Sequence, residues 1–179
     1  LEGEAAQALN HAYGTNGILT AVTVATAPAV AWQQLVVDFP DWWAALEAAR
    51  TLPGTAMVLD DLTLLEAPLA AGMPWTHGCP APAPGHHRLL LLEAPDALPL
   101  LPTWMEERGG MLRWQQPQGS SRGGSLRELT WNHTTLHWRA RHAGWTYLQL
   151  SLPEPERPLL EAVAQRWGER VRWHLEGVR

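Results

Sequence analysis

Apolar and polar positions alternate along the chain in a way that predicts strands and helices in a regular order. Four short runs rich in leucine, β-branched and aromatic residues predict strands, at 32–39, 55–65, 88–93 and 111–116. A helix is predicted after the first run, where Pro40 and Asp41 suit a first turn. Another is predicted over 95–108, where Pro99 and Pro102 would break or delay it. The predicted order is therefore β-α-β-β-α-β.

This order predicts an α+β fold of the ferredoxin-like type, in which two crossover units place both helices on one face of an antiparallel sheet. The second half of the chain predicts a further α-β-α-β segment. Ser125 and Glu128 have the spacing of a capping box, at the start of a helix that runs to about Arg141. The elements predicted after it are a strand, a helix and a strand, at 145–152, 154–167 and 171–176.

A turn bracketed by glycines near the start of the chain is followed by another strand-like run. Gly14 and Gly17 enclose Thr15 and Asn16, and small and β-branched side chains then alternate until Pro28. A Gly-x-x-Gly turn lets the backbone approach a large ligand where a Cβ atom would clash. The pattern predicts a turn and a strand that border a ligand, although an ordinary tight turn has the same spacing.

Composition narrows the class of protein. The chain has 179 residues, enough for one domain with an apolar core, and its single cysteine, Cys79, cannot form an internal disulfide. Since no signal-peptide pattern or membrane-spanning stretch is evident, a reducing, cytoplasmic location is expected. The formal net charge is −5 and the 13 basic residues, all arginine, are scattered, which argues against nucleic acid as a partner. The 11 tryptophans are expected in the core or at a domain interface.

Two blocks of sequence resemble FAD-linked oxidases of the 2-hydroxy-acid oxidase and vanillyl-alcohol oxidase type. The block YGTNGILT at 13–20 is similar to the closing segment of their flavin-binding domain. The block TWNHTTL at 130–136, with WTYLQ at 145–149, is similar to one branch of the family. The resemblance implies that residues 1–29 are the C-terminal edge of an FAD-binding domain and that residues 30–179 are a ferredoxin-like substrate or cap domain.

The same resemblance implies a chemistry. It suggests that a 2-hydroxy acid or related alcohol gives up a hydride to the flavin, with His133 and Asn132 in the catalytic site. A neutral imidazole, with an ordinary pKa of about 6.5, can accept the hydroxyl proton, and Asn132 could orient the substrate oxygen. Without the resemblance, His133 is interpreted as a helix histidine bonded to a neighbouring carbonyl. The implied FAD contacts are Gly14, Thr15, Gly17 and Ile18.

Histidine spacing also permits a metal site. His133, His137 and His142 follow a helical spacing, but Thr-Thr-Leu separates the first two and the glutamate of a zinc-hydrolase helix is missing. A second group lies in a proline-rich loop and is typical of a solvated loop; its members are His77, Cys79, His86 and His87. We therefore expect no metal cofactor.

A substrate carboxylate would need a cationic partner. A guanidinium group pairs with a carboxylate through two parallel hydrogen bonds. Arg88, Arg139 and Arg141 are available for this role, and each could equally be a solvated surface charge. The sequence does not rank them.

The chain is expected to be a piece of the intact oxidase. It starts at Leu1 rather than at a methionine, and it contains no glycine-rich loop of the kind that holds the phosphates of FAD. The missing partner would be the main part of the FAD-binding domain, without which the fragment is expected to be inactive and not to retain FAD. The alternative is a non-catalytic small-molecule-binding or regulatory module, because the ferredoxin-like fold hosts many functions.

Overall fold

The computed structural model describes residues 4–7, 14–15, 17–75, 78–119, 124–152 and 154–177. Within these residues, the strands are β1 (Gln33–Phe39), β2 (Leu59–Leu65), β3 (His87–Glu93), β4 (Met111–Pro117) and β5 (His174–Glu176). The α-helices are α1 (Glu4–Gln7), α2 (Trp42–Thr51), α3 (Ala67–Gly72), α4 (Leu101–Glu106), α5 (Asn132–Arg141) and α6 (Arg157–Trp167). Short 3-10 turns lie at Leu52–Gly54, Pro95–Ala97, Leu126–Glu128 and Gly168–Arg170. No helix of the described residues is both long and apolar enough to cross a membrane.

The strands form one antiparallel sheet in the order β4-β1-β3-β2-β5. In its centre, β1 pairs with β3 in a register that puts Val36 opposite Leu90. β2 lies on the other side of β3, and β5 extends the sheet beyond β2, with Thr63 opposite Glu176. The first four strands have the order 4-1-3-2 of a ferredoxin-like sheet, with α2 and α4 in the two crossovers. The predicted α+β class is therefore confirmed.

The helix-side core lies between the sheet and the helices α2, α4 and α6. α2 begins where the sequence predicts it, because the Asp41 side chain accepts a hydrogen bond from the Ala44 N–H (2.8 Å) and so caps the helix. The buried face of α2 then packs on alternate residues of β1 and β3. Members of this core include Leu35, Val37, Leu46, Leu64, Leu91 and Leu101.

The outer core covers the opposite face of the sheet, which the sequence left without a covering element. α3, the turn at Leu126–Glu128 and α5 pack here, and α3 is a helix that the sequence analysis did not predict. Because β1 and β3 are covered on both faces, they are continuous apolar runs rather than alternating ones. Buried members of the outer core include Val36, Leu65, Leu69, Leu90, Leu126 and Leu129, with Trp32, Trp75, Trp114 and Trp138 packed against them.

Two of the predicted strands are wrong. Residues 17–28 and 145–152 have no strand assignment, and most of their apolar side chains are exposed, with Ile18 at 92% and Leu148 at 77%, although Trp145 and Leu152 are half-buried. An alternating pattern places the apolar side chains on one face of a strand, but the backbone N–H and C=O groups of that strand also need a neighbouring strand as hydrogen-bond partner. Among the residues that the structure describes, no strand pairs with either segment.

The helix predicted from Ser125 to Arg141 is divided in two. Ser125 caps only the short turn at Leu126–Glu128, where its hydroxyl accepts from the Arg127 N–H (3.2 Å). The chain then changes direction at Trp131, and α5 starts at the next residue. The last helix and strand exist but are shorter than predicted, since they begin at 157 and 174 rather than 154 and 171.

Candidate functional site

Asn132 and His133 are the first two residues of α5, and both are exposed. The His133 N–H donates to the carbonyl oxygen of Thr130 (3.1 Å), which closes the turn before the helix. The next residue, Thr134, is only 1% exposed, and its hydroxyl donates to the carbonyl oxygen of Leu129. The start of the helix is therefore anchored through Thr134, while Asn132 and His133 remain accessible to a substrate.

The turn that leads into α5 has a constrained backbone at Trp131. Its φ of 52° and ψ of −136° resemble the first central position of a type II′ turn, which glycine normally occupies. Placing another residue there costs about 1–3 kcal/mol and requires support from surrounding contacts. The Trp131 N–H donates to Oε1 of Glu176 at 2.6 Å, so a carboxylate from β5 provides such support.

Glu176 is nearly enclosed, since its side chain is 14% exposed. The Thr63 hydroxyl donates to its second oxygen, and Nε2 of His174 is in hydrogen-bonding contact with the first. These contacts are not a catalytic relay of base and nucleophile. The same nitrogen of His174 faces both Glu176 and the Thr134 hydroxyl (3.4 Å), whereas a relay uses both ring nitrogens.

A second buried carboxylate, Asp61, lies close to Glu176. Burial and the negative charge of Glu176 raise the pKa of Asp61. Arg127 and hydrogen bonds from the side chains of Trp131 and Thr130 act in the opposite direction. We call this group the polar cluster; it consists of Asp61, Thr63, Thr130, His174 and Glu176.

The glycine segment lies apart from the polar cluster in the sequence and is open to solvent. Gly14 and Gly17 have φ values of 78° and 148°, and a Cβ atom at either position would meet no other atom within 4 Å. Thr15 and Ile18 are exposed. The segment enters the domain through Trp32, whose side chain packs against the outer core, as Trp138 of α5 does. Trp32, which follows the glycine segment in the chain, and α5 therefore pack on the same face of the sheet.

The histidines that follow His133 on α5 have different partners. Nε2 of His137 lies 3.1 Å from the carbonyl oxygen of Glu128. The ring of His142 stacks on Trp138 with a centroid separation of 3.8 Å. Among the residues that the structure describes, no group of three or more His, Cys, Asp or Glu side chains is arranged to hold a metal ion.

The residues of the proline-rich loop have structural roles where they are described; His77 lies outside the described residues. Nδ1 of His87 accepts from the Ala67 N–H (3.1 Å) at the start of α3, and burial lowers the pKa of His87. Burial raises the pKa of the Cys79 thiol to about 11, so the thiol stays protonated at neutral pH. The ring of His86 contacts a backbone carbonyl two residues earlier (3.2 Å).

Arg88 is not accessible to a substrate carboxylate. It is fully buried, donates to both oxygens of Asp38 (2.6 and 2.9 Å), and its guanidinium lies 4.3 Å from the centre of the Trp75 ring. Of the other two candidates, Arg141 donates to a backbone carbonyl of α3 and Arg139 is exposed. Arg139 alone of the three candidates has an exposed side chain without a described hydrogen bond.

A cavity of about 180 Å³ lies on the outer face of the sheet beside α5. One wall is formed by His137, which is one helical turn from His133. Its other lining residues include Trp75, Trp114, Leu126 and Leu129. A groove of about 410 Å³ lies on the helix side, between α2 and the start of α6, and is lined by Trp43, Glu47, Arg50, Glu156 and Arg157.

Sequence reasoning missed the polar cluster. The only signal was the alternation at 171–176, which puts His174 and Glu176 on the polar side of a strand. That pattern predicts a surface position, because nothing in it indicates that β5 pairs with β2 and faces α5.

No family model matches the chain, and no curated protein matches it.

Proposed function

We propose that this chain forms the substrate-covering part of an FAD-dependent oxidoreductase that oxidises a 2-hydroxy acid or a related alcohol. In this proposal residues 1–29 belong to the edge of the FAD-binding domain and residues 30–179 to a ferredoxin-like cap domain in a cytoplasmic enzyme. The observation that carries the proposal is the exposed Asn132-His133 pair, held at the start of a helix by the buried Thr134 and the Trp131 turn.

The residues at the glycine segment fit one edge of a large cofactor. Gly14 and Gly17 have positive φ values and free space where a Cβ would stand, so a ligand can lie directly against the main chain. Thr15 and Ile18 would extend that contact. FAD, when bound, would accept the hydride from the alcohol carbon. The phosphates of FAD need a donor-rich loop, which this sequence lacks, so another domain would hold them.

The chain's own residues would handle the proton and the orientation of the substrate. A ring nitrogen of His133 accepts the hydroxyl proton as the alcohol becomes a carbonyl compound. The Asn132 amide orients the substrate oxygen. Arg139, exposed on the same helix, is the candidate partner for a carboxylate, because Arg88 is already paired with Asp38.

A turnover assay on the chain joined to a complete FAD-binding domain tests the proposal. The assay follows flavin-coupled reduction of a dye across a panel of 2-hydroxy acids and alcohols. His133→Gln should lower kcat by about 100-fold or more, since general base catalysis contributes that much. His86→Gln, a loop histidine, is the matched control and should leave kcat unchanged. Undiminished turnover of the His133 variant with flavin bound would remove His133 from the mechanism.

A second candidate is a non-catalytic module that binds a small molecule, and the 180 Å³ cavity lined by Trp75 and Trp114 favours it. A cavity walled by two indole rings suits a small, flat apolar ligand. Such a module would bind its ligand without flavin and without turnover. Saturable binding of a small aromatic compound to the chain, combined with no dye reduction in the joined protein, would favour this second function.

A further inference from the structure

We propose that Glu176 is a positioning residue, which directs Asn132 and His133 toward the substrate by holding the backbone of Trp131. This inference rests on the proposed function, because it concerns the same helix end. Glu176 is distant in sequence from both residues and would not itself touch the substrate. Its contribution would pass through the hydrogen bond to the Trp131 N–H (2.6 Å).

The conformation of Trp131 is the first line of evidence. Among the described residues it is the single non-glycine residue with a positive φ, and it directly precedes the helix that carries Asn132 and His133. Such a conformation persists only where neighbouring contacts hold it, and conformations of this kind cluster at functional sites. Rotation at Trp131 would change the direction in which the first turn of α5 leaves the sheet.

The rigidity of Glu176 is the second line. β5 pairs with β2 at this point, so Thr63 lies opposite Glu176, and the Gly177 N–H donates to the carbonyl oxygen of Leu62 (2.9 Å) immediately after it. The Thr63 hydroxyl and His174 also contact its carboxylate. The acceptor oxygen is therefore fixed by the sheet rather than by the turn that it supports.

The alternative is a purely structural role, in which the charge of Glu176 matters but the location of its oxygen does not. Two conservative variants separate these roles. Glu176→Asp keeps the charge but withdraws the carboxylate by about one bond length, roughly 1.5 Å. Glu176→Gln removes the charge but keeps a carbonyl oxygen at the same reach as an acceptor for the Trp131 N–H.

The experiment measures kcat and KM of both variants in the chain joined to its FAD-binding domain. Glu176→Asp should lower kcat by about 30-fold or more with KM within about threefold, because a displacement of this size costs up to about 100-fold in rate. Glu176→Gln should stay within about threefold of the parent. The matched control is Glu66→Gln, since Glu66 is also a partly buried carboxylate that accepts a backbone N–H, from Trp173 (3.0 Å), and none of its described hydrogen bonds goes to α5.

Which of the two variants loses more kcat decides whether Glu176 is a positioning residue. A larger loss of kcat in Glu176→Gln than in Glu176→Asp, or unchanged kcat in both, would overturn the positioning role. NMR of the 179-residue chain gives a second readout: the His133 ring resonances should shift in Glu176→Asp and stay near their parent positions in Glu176→Gln. If the parent shows no turnover at all, the proposed function fails, whereas unshifted resonances in Glu176→Asp would refute the contact itself.

Discussion

At the scale of single residues, Glu93 is an ionisable carboxyl group in a buried position that disfavours its charged form. It lies at the end of β3 with 0% exposure, and neither of its side-chain oxygens has a hydrogen-bond partner. Burial raises the pKa of Glu93 from its ordinary value of 4.5 to about 7. The folded protein therefore favours the neutral acid, whereas the unfolded chain ionises it at lower pH.

The resulting prediction concerns stability against pH. The contribution of the neutral Glu93 to the free energy of unfolding is fully present below about pH 4.5 and is lost as the pH rises through about 7. The loss in unfolding free energy is on the order of 3 kcal/mol. Glu93→Gln should remove this decline in stability. Denaturant unfolding at pH values from 4 to 8, about one pH unit apart, measures the free energy of unfolding of both proteins. The exposed Glu161→Gln is the control; parallel curves for Glu93→Gln and the parent would contradict the assignment.

A second residue-scale prediction concerns the buried ion pair of Arg88 and Asp38. Asp38→Ala leaves the guanidinium of Arg88 buried without its partner, so the free energy of unfolding should fall by about 3–5 kcal/mol. The exposed pair Arg50–Glu47 provides the control, since Arg50→Ala should change stability little. Chemical denaturation of both variants measures the difference. Equal, small losses would show that Arg88 finds another partner or water.

At the scale of elements, the packing of one strand on the next fixes where β4 can begin. Gly110, just before β4, faces β1, and a Cβ atom there would lie 2.5 Å from the Phe39 ring and 3.0 Å from the Val37 side chain. Both of these side chains are fully buried, so they have little room to move. The glycine is therefore required by the approach of the strand rather than by its own turn.

Gly110→Ala should lower the free energy of unfolding by about 1–3 kcal/mol because it overfills this contact. Gly54→Ala is the matched control, since a Cβ at Gly54 would meet no other atom within 4 Å. Thermal or denaturant unfolding of the two variants gives the comparison. A loss no greater in Gly110→Ala than in Gly54→Ala would mean that the strand shifts to admit the methyl group.

At the scale of the whole molecule, the proposed function predicts how the chain behaves by itself. Four positions along one edge cannot compensate for the freedom that a dinucleotide loses on binding, so the purified chain should contain no stoichiometric flavin. Visible absorbance after incubation with excess FAD and desalting measures this, and the chain joined to its FAD-binding domain is the positive control. A yellow chain with one flavin per molecule would contradict the proposed division of the cofactor site.

The sequence predicted those parts of the fold that depend on neighbouring residues. The apolar runs in β1 and β3, the Asp41 cap of α2 and the prolines that delay α4 all act within a few residues, so the strand and helix order could be derived. The same local patterns failed at 17–28 and 145–152, because a strand needs a partner that its own residues do not specify.

The sequence likewise predicted some features of the candidate site and missed others. The sequence predicted Asn132 and His133 as site residues on a helix, and the structure places both at the start of α5. It also predicted Arg88 as a possible partner of a substrate carboxylate, but Arg88 is paired with Asp38 inside the protein. Neither the break at Trp131 nor its support by Glu176 could be derived, since that contact joins residues 45 positions apart. Contacts of this length depend on how the whole chain packs.

The amino-acid sequence by itself determined the fold class: hydrophobic periodicity and capping residues act locally, and they specify β1, α2, β2, β3, α4 and β4 in this order, which is an α+β fold, although α3 was not predicted. Only the tertiary structure decided that β5 pairs with β2, that α3 and α5 cover the second face, and that the Glu176 carboxylate supports the start of α5. The physical reason is that burial, ion pairing and strand pairing are properties of residues brought together by folding, and a local pattern does not name its distant partner.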